Sequence, residues 1–303
     1  MSIQPEEVLE RGLRLLGVTP EEWNRRKYRT NELDFAAHFG PSPDVVAALW
    51  TNLCTTQVAA ARIDPRKHRL KDFLVALHWL KVYPTERERK IAIKVGKNSG
   101  RKWSWFYVRK IAALKDEVIK WPEKWETIFT VSVDGVHFRL KEPTSKEYKF
   151  LPEYFSHKHG SAGLDYEIAI NIFTGQVVRI VGPFPAGRGD LDIFQEEGLM
   201  DLIPHGYKVI ADWGYHGLYE IISTPNPCDD EDVARFKSLA LARHETFNGR
   251  LKRFCCLRET FRGNGIKVDG EKLTHLEAHG IVFDAVAVIC QLELMLDSPL
   301  FDV

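Results

Sequence analysis

Three acidic residues lie in segments where core packing does not account for a carboxylate. Asp134 interrupts the strand-like run of residues 129–138, Asp212 closes the apolar run of residues 209–211, and Glu245 lies in a basic stretch with a helical pattern. A carboxylate inside a buried strand, or at its end, is unfavourable unless a positive group meets it. The sequence therefore predicts that these three side chains meet a divalent metal ion.

The chemistry suited to such a site is the cleavage of a nucleic-acid phosphodiester. Mg²⁺ prefers carboxylate oxygens and retains waters, so a few convergent acids can hold two ions at a phosphate. Two ions about 3.5–4 Å apart stabilise both the attacking and the leaving oxygen, and no protein nucleophile is needed. Structural roles stay open for each acid: a hairpin turn at Asp134, a turn cap at Asp212 and a solvated helix position at Glu245.

The elements that would position these acids follow from the apolar periodicity. Strands are predicted at about residues 128–140, 166–172, 176–181 and 207–211, and helices at about residues 190–202, 231–254 and 271–296. Asp190 is the expected cap of the first of these helices, and Gly175 the turn between the second and third strands.

This order of elements predicts an α/β fold, a ribonuclease H-like mixed sheet flanked by helices. Its first and fourth strands are neighbours, so Asp134 and Asp212 would approach each other across 78 positions of sequence (212 − 134). Glu245 would reach the same point from a packing helix, and we expect the last helix to pack against this domain.

The periodicity changes from helical to strand-like near residue 125, beside Pro122. We therefore expect two domains: an N-terminal all-α region, residues 1–124, and the ribonuclease H-like catalytic domain, residues 125–303.

A helix-turn-helix is predicted at about residues 84–116. Thr85 would cap a helix that runs to about Val95, residues 96–100 would form the turn, and residues 101–115 the second, basic helix. The formal net charge of the chain is zero, but residues 62–116 contain 16 Lys and Arg against 5 Asp and Glu, a local excess of 16 − 5 = 11. The alternative is a helical hairpin with an aromatic core and solvated charges.

Two groups of basic residues are candidates for DNA contact. A recognition helix enters the major groove, and basic side chains near a metal site can hold phosphates, although a solvated helix face explains the second group nearly as well. The candidates in the second helix are Arg101, Lys102, Arg109 and Lys110, and those shortly after Glu245 are Arg250, Lys252 and Arg253.

Composition limits the other classes of function. The chain has 303 residues, 44% hydrophobic and 28% charged, as in a soluble globular protein. Five cysteines without a CxxC pair predict reduced thiols in an intracellular protein rather than a disulfide framework. No signal-peptide pattern is seen at residues 1–7, and the apolar stretch at residues 280–296 contains Asp284 and Glu293, which favours a core helix over a membrane span.

Other possible ligands give weaker patterns. His157 with His159, and His275 with His279, could bind zinc, but neither pair has a third ligand at motif spacing. Asp190 and Asp192 could substitute for a carboxylate ligand, although an acid at a helix start is usually a cap. Residues 187–189 lack the Lys-Ser/Thr of a phosphate-binding loop.

Three sequence blocks carry a family resemblance: residues 133–137, 210–217 and 243–254, joined by shorter similarities at residues 154–158, 182–184 and 285–288. From about Leu70 to the C-terminus the chain resembles DDE-superfamily transposases of the PIF/Harbinger type. It departs from their pattern at Trp213, His216 and His244. The residue before the Glu is commonly small and apolar in that family, so His244 would disturb the helix face or approach the substrate.

The resemblance implies a ribonuclease H-like endonuclease with two Mg²⁺ or Mn²⁺ ions held by Asp134, Asp212 and Glu245. It implies hydrolysis of double-stranded DNA at transposon terminal repeats and strand transfer into a target site, by several copies on DNA, with a Myb-like accessory DNA-binding protein as a further partner and no membrane. Family habit places the protein in the nucleus if the source is eukaryotic, and otherwise in the cytoplasm.

The alternative function is that of a domesticated, catalytically silent DNA-binding protein derived from a transposase. A general RNA nuclease is disfavoured, because a helix-turn-helix suits duplex DNA.

Overall fold

Two units make up the chain, for which the computed structural model describes residues 3–141, 152–262, 267–268 and 270–303. Unit 1 comprises Met1–Val118, Leu251–Glu259 and Gly263–Ser298, and unit 2 comprises Ile119–Arg250, Thr260–Arg262 and Pro299–Val303. The first two residues of the N-terminal segment searched for a signal peptide lie outside the described residues.

The helices are α1 (Pro5–Leu15), α2 (Pro20–Arg25), α3 (Tyr28–Phe39), α4 (Pro43–Thr55), α5 (Leu70–Val82), α6 (Glu86–Ile93), α7 (Lys97–Ala112), α8 (Lys115–Val118), α9 (Asp190–Glu196), α10 (Glu231–Leu251), α11 (Cys255–Arg258) and α12 (His275–Leu296). The strands are β1 (Phe129–Arg139), β2 (Phe155–Ser156), β3 (Ser161–Asn171), β4 (Val177–Pro185), β5 (Lys208–Ala211), β6 (Ile222–Ser223), β7 (Lys267–Val268) and β8 (Glu271–Lys272).

Unit 1 is built mainly of helices. Its α7 packs against α5 and α12, and α12 also packs against α4 and α8. By length and composition α12 could cross a membrane, but 72% of its most apolar stretch is buried inside the structure, in agreement with the predicted core helix. Its Asp284 pairs with Lys115 at 3.0 Å, so one charge of this apolar helix has a partner.

We expect from the sequence that the last helix packs against the ribonuclease H-like domain, whereas α12 belongs to unit 1. Residues 251–259 and 263–298 belong to unit 1, and unit 2 begins at Ile119, a few residues before the expected boundary. The division of the chain into an N-terminal helical region, residues 1–124, and a catalytic domain, residues 125–303, stays a prediction.

The α6–α7 hairpin differs from the predicted one in the position of its turn. Thr85 caps α6 in a capping box with Glu88, as expected. The turn is shorter, because α7 begins at Lys97 after the N-cap Gly96 and contains Gly100. A side chain at Gly100 would collide with the buried guanidinium of Arg89, which donates to Ser104 Oγ at 3.3 Å. Gly100 is therefore a packing glycine inside the helix rather than a turn residue.

Unit 2 contains a six-stranded mixed sheet with β1 near its centre. β1 pairs antiparallel with β3 and parallel with β5, β5 pairs parallel with β6, and β4 and β2 both pair antiparallel with β3. This arrangement, flanked by helices, is the ribonuclease H-like mixed α/β fold that the sequence predicts. The short strands β2 and β6 were not predicted.

Successive residues of the central strands face opposite sides of the sheet. On one side, Val131, Val133 and Ala211 pack with Phe194 and other residues of the α9 region. On the other side, Ile210 packs with Ala240 of α10. Both faces of the sheet are therefore covered. The residues that break the apolar pattern, Asp134 and Asp212, lie where β5 ends.

The helix predicted at residues 190–202 is shorter than expected. It ends at Glu196, and the chain leaves it through Gly198, whose φ of +77° suits a residue without Cβ. The expectation that Asp190 caps this helix is wrong: Gly189 is the N-cap and makes no side-chain cap hydrogen bond. The Asp190 side chain is thus available for another contact.

Candidate active site

Asp134 lies in the middle of β1. It pairs in register with Ile168 of β3, and its side chain is half-buried. Its Oδ1 accepts a hydrogen bond of 2.9 Å from the backbone N–H of Gly135. The strand continues through Arg139, so the alternative of a hairpin turn at Asp134 is wrong.

Asp212 lies directly after β5, beside Asp134. The parallel register pairs Ser132 with Ile210 and Val133 with Ala211. The next residue is Asp134 in β1 and Asp212 after β5. Neighbouring strands are about 4.8 Å apart, and equivalent positions face the same side of a sheet. Asp212 is also the N-cap of a short 3₁₀ helix, with Oδ1 accepting from the Gly214 N–H at 2.9 Å. The predicted neighbourhood and the turn-cap alternative both hold.

Glu245 lies on α10 with an exposed side chain. The two residues before it fix the helix. Arg243, buried, donates to the carbonyl oxygens of Ile172 and Phe301, and His244 Nε2 shares a hydrogen bond of 2.9 Å with Ser132 Oγ.

The His244–Ser132 bond explains how α10 is aligned with the site. Ser132 and Asp134 are two positions apart in β1 and therefore face the same side. The hydrogen bond joins α10 to that side, one residue before Glu245. The sequence predicts that His244 would disturb the helix face or approach the substrate. Instead, His244 is buried and its hydrogen bond links α10 to β1.

The pKa of Asp134 shows the effect of the neighbouring acids. Burial, followed by the charges of Asp212, Asp190 and Glu245, raises the pKa of its carboxyl to about 7, against the lowering effect of the Gly135 N–H. All four acids therefore share one electrostatic neighbourhood. Their mutual repulsion is what a bound cation would relieve.

Two more carboxyl groups adjoin this neighbourhood. Burial is also the main cause of the raised pKa of Asp190, with Asp212 raising it and Lys158 lowering it. Glu167 of β3, opposite Gly135 and fully buried, has a pKa raised to about 8 chiefly by burial. Sequence reasoning missed Glu167, although an acid inside an apolar strand is the signal that identified Asp134.

A cavity of about 200 Å³ opens beside Asp134 and Asp190. Its wall includes His137, whose Nδ1 lies 2.7 Å from Asp165 Oδ1 and whose ring stacks on His159 at 4.2 Å. Lys158 also lines it. The cavity joins the acids to a basic and aromatic wall, a combination suited to a phosphate or a base.

The basic residues predicted to contact DNA fall in both units. Arg101 and Lys102 are exposed on α7, and Arg109 and Lys110 are half-buried further along it. Arg101 donates to Glu86 Oε1 at 2.6 Å. Arg250, in unit 2, donates to the carbonyl of Pro299 at 3.2 Å. In unit 1, Lys252 is exposed and Arg253 pairs with Glu293 at 2.7 Å. Their contact with DNA stays a prediction.

Hard oxygen donors dominate the acid cluster, which is the chemistry that Mg²⁺ and Mn²⁺ take. Across residues 3–141, 152–262, 267–268 and 270–303, no group of three or more His, Cys, Asp or Glu is already arranged to enclose an ion. The acids fit a divalent cation by the type of their donor atoms and by the mutual repulsion that a cation would relieve.

In this ribonuclease H-like fold, the central strand pair presents two adjacent acids and the helix that covers it presents a third. The family model described as DDE superfamily endonuclease matches residues 133–292, more than half of the chain, and the chain belongs to that family. The matched range includes Asp134, Asp212 and Glu245. A comparison with curated proteins found no match.

Family membership confirms the DDE-superfamily resemblance of the sequence blocks. It gives the chain a transposase or nuclease type of function, with DNA as the substrate, in a family that generally uses divalent metals.

Proposed function

We propose that this protein is a divalent-metal-dependent DNA endonuclease that hydrolyses phosphodiester bonds at the ends of a mobile element and transfers the cut strands to target DNA. Asp134, Asp212 and Glu245 are its catalytic acids. The proposal goes beyond family membership in naming the residues, the metal dependence and the DNA ends.

The single observation that carries the proposal is the parallel register of β1 and β5. The last residues paired in that register, Val133 and Ala211, directly precede Asp134 and Asp212, and a pair of like charges so placed is costly unless a cation joins them. No packing role in the core accounts for both side chains. Glu245 joins them by its effect on the pKa of Asp134.

The chain's own groups have separable tasks. Asp134 of β1 and Asp212 after β5 would hold the ions, and Glu245 would complete the ligand set from α10. The His244–Ser132 bond keeps α10 in place. Two bound ions, Mg²⁺ or Mn²⁺, would supply charge neutralisation at the phosphate and an activated water. Lys158, at the cavity wall, would attract the DNA backbone.

Recognition of duplex DNA would fall to unit 1. Residues at the N-terminal end of a recognition helix reach base edges in the major groove. The first turns of α7 expose Lys97, Arg101 and Lys102, whereas Trp105 and Val108 further along are buried. This distribution supports α7 as the recognition helix, with a buried face for packing and an exposed basic end for DNA.

The test is cleavage of DNA that flanks the coding sequence, since the ends of a mobile element lie on either side of its own gene. The purified full chain is incubated with that DNA and Mg²⁺, Mn²⁺ or chelator, and nicks are mapped at nucleotide resolution. The variants are Asp134→Asn, Asp212→Asn and Glu245→Gln. Asp201→Asn, exposed in a 3₁₀ turn of unit 2, is the matched control.

The expected result is metal-dependent nicking at defined positions, lost in the three site variants and kept in Asp201→Asn. Joining of labelled nicked ends to a plasmid tests strand transfer. Nicking that survives Asp134→Asn and Asp212→Asn together contradicts the proposal.

The exposed basic end of α7 favours a second candidate, a DNA-binding protein that no longer cuts. This candidate predicts that Arg101→Ala lowers the affinity for DNA and makes that affinity depend less steeply on salt concentration. It also predicts that Asp212→Asn binds DNA as well as the unmodified chain and that the unmodified chain does not nick DNA. Arg25→Ala, exposed on α2 of the same unit, is the control for loss of charge alone.

A further inference from the structure

Asp190 lies where β5 stops and β1 continues. The two strands pair as far as Val133 and Ala211, and β1 extends beyond that point to Arg139. Gly135, the next residue of β1 after Asp134, has no side chain to fill the space, and Asp190 fills it from α9.

The space around Gly135 and Gly214 shows how closely the Asp190 carboxylate approaches their backbone. A Cβ on Gly135 would lie 2.8 Å from Asp190 Oδ1, and a Cβ on Gly214 would lie 2.6 Å from Asp190 Oδ2. The same position on Gly214 is 3.0 Å from Asp212 Oδ1. Because one point lies 2.6 Å from Asp190 Oδ2 and 3.0 Å from Asp212 Oδ1, these two oxygens are no farther apart than those two distances combined.

The structural roles open to Asp190 do not account for this placement. Gly189 rather than Asp190 caps α9. An acid in the first turn of a helix is stabilised by the helix dipole, but Asp192 is in that turn as well and is exposed. A carboxylate kept only for the helix dipole has no reason to be half-buried against Asp212.

We propose that Asp190 is a fourth carboxylate of the site and a ligand of a divalent cation shared with Asp212. This inference rests on the proposed function. It also explains glycine at positions 135 and 214: a side chain at either would displace the Asp190 carboxylate. The site is then reached from both sides of the sheet, by Glu245 from α10 and by Asp190 from α9.

The experiment measures binding of Mn²⁺ alone to the metal-free full chain, from the electron paramagnetic resonance signal of free Mn²⁺. The variants are Asp190→Asn and Asp134→Asn, with Asp192→Asn as a control on the same helix turn. Even partners outside the ligand set typically cost 10–100-fold in metal affinity, so a ligand should cost at least about 10-fold. The expected result is that loss for Asp190→Asn, and affinity within about twofold of the unmodified chain for Asp192→Asn.

Thermal unfolding without metal gives a second readout. Asp190→Asn removes a repelling charge, so its midpoint should rise, and added Mn²⁺ should raise it less than that of the unmodified chain. A lower metal-free midpoint would mean that the carboxylate serves the fold, and it would overturn the inference.

The two levels of the proposal fail in different ways. Full Mn²⁺ affinity in Asp190→Asn, with loss in Asp134→Asn, overturns the role of Asp190 and leaves the proposed function standing. Equal affinity in the unmodified chain and Asp134→Asn overturns the proposed function itself.

Discussion

Replacing Asp134 by asparagine should make the metal-free protein more stable, and the gain should grow with pH. Burial and the charges of Asp212, Asp190 and Glu245 raise the pKa of the Asp134 carboxyl from 3.8 to about 7. A group whose pKa is raised on folding contributes stability that is present at low pH and is lost as pH rises through the folded value. Asparagine cannot ionise and avoids that loss.

The magnitude follows from the pKa. One pKa unit corresponds to about 1.4 kcal/mol. The gain in the free energy of unfolding should therefore be under about 2 kcal/mol at pH 5 and approach about 4 kcal/mol, as an upper bound, at pH 8. The asparagine oxygen can still accept the Gly135 N–H, so no hydrogen bond need be lost.

The assay is urea unfolding of the chelator-treated protein, followed by tryptophan fluorescence at several pH values. Asp201→Asn, which lies outside the acid cluster, is the control and should show no such pH trend. Added Mg²⁺ should stabilise the unmodified chain and leave Asp134→Asn unchanged. Destabilisation by Asp134→Asn, or a gain independent of pH, would refute the reasoning.

Three further predictions concern neighbouring residues. Burial raises the pKa of Glu167 to about 8, so Glu167→Gln should gain stability over the unmodified chain as pH rises from about 4.5 to 8, in the same urea assay. Burial lowers the pKa of His244 to about 3; stability from its neutral form is complete above about 6.5 and is lost as pH falls, so His244→Gln should flatten the acid side of the stability curve. Gly214→Ala should displace the facing carboxylates and weaken Mn²⁺ binding about 10-fold, whereas Gly249→Ala on α10, with nothing within 4 Å, should stabilise by up to about 1 kcal/mol and bind Mn²⁺ normally.

The sequence predicts strands where an apolar pattern spans at least four residues. The period-two pattern around Asp134 and the apolar run before Asp212 identify β1 and β5, and the order of elements predicts that the two are neighbours. Strands of two residues, such as β6, have too few positions to show a period. Their pairing depends on the strand beside them and cannot be read locally.

Contacts that form only on folding cannot be read from a local sequence pattern. Gly100 looked like a turn because its partner, the Arg89 guanidinium, comes from the preceding helix. Asp190 looked like a cap because its nearness to Gly214 appears only after folding. The Arg253–Glu293 pair likewise joins residues 40 positions apart. For Gly100 and Asp190 the local pattern is ambiguous, and the tertiary contact determines what the residue does.

The central claim is that Asp134 and Asp212 share a divalent cation. Its most direct measurement is a double-mutant cycle of Mn²⁺ affinity with Asp134→Asn, Asp212→Asn and the combined variant. If one ion joins both carboxylates, each single change abolishes most of the binding and the combined change costs little more. Additive losses, or Mn²⁺ affinity unchanged by either substitution, would contradict the account.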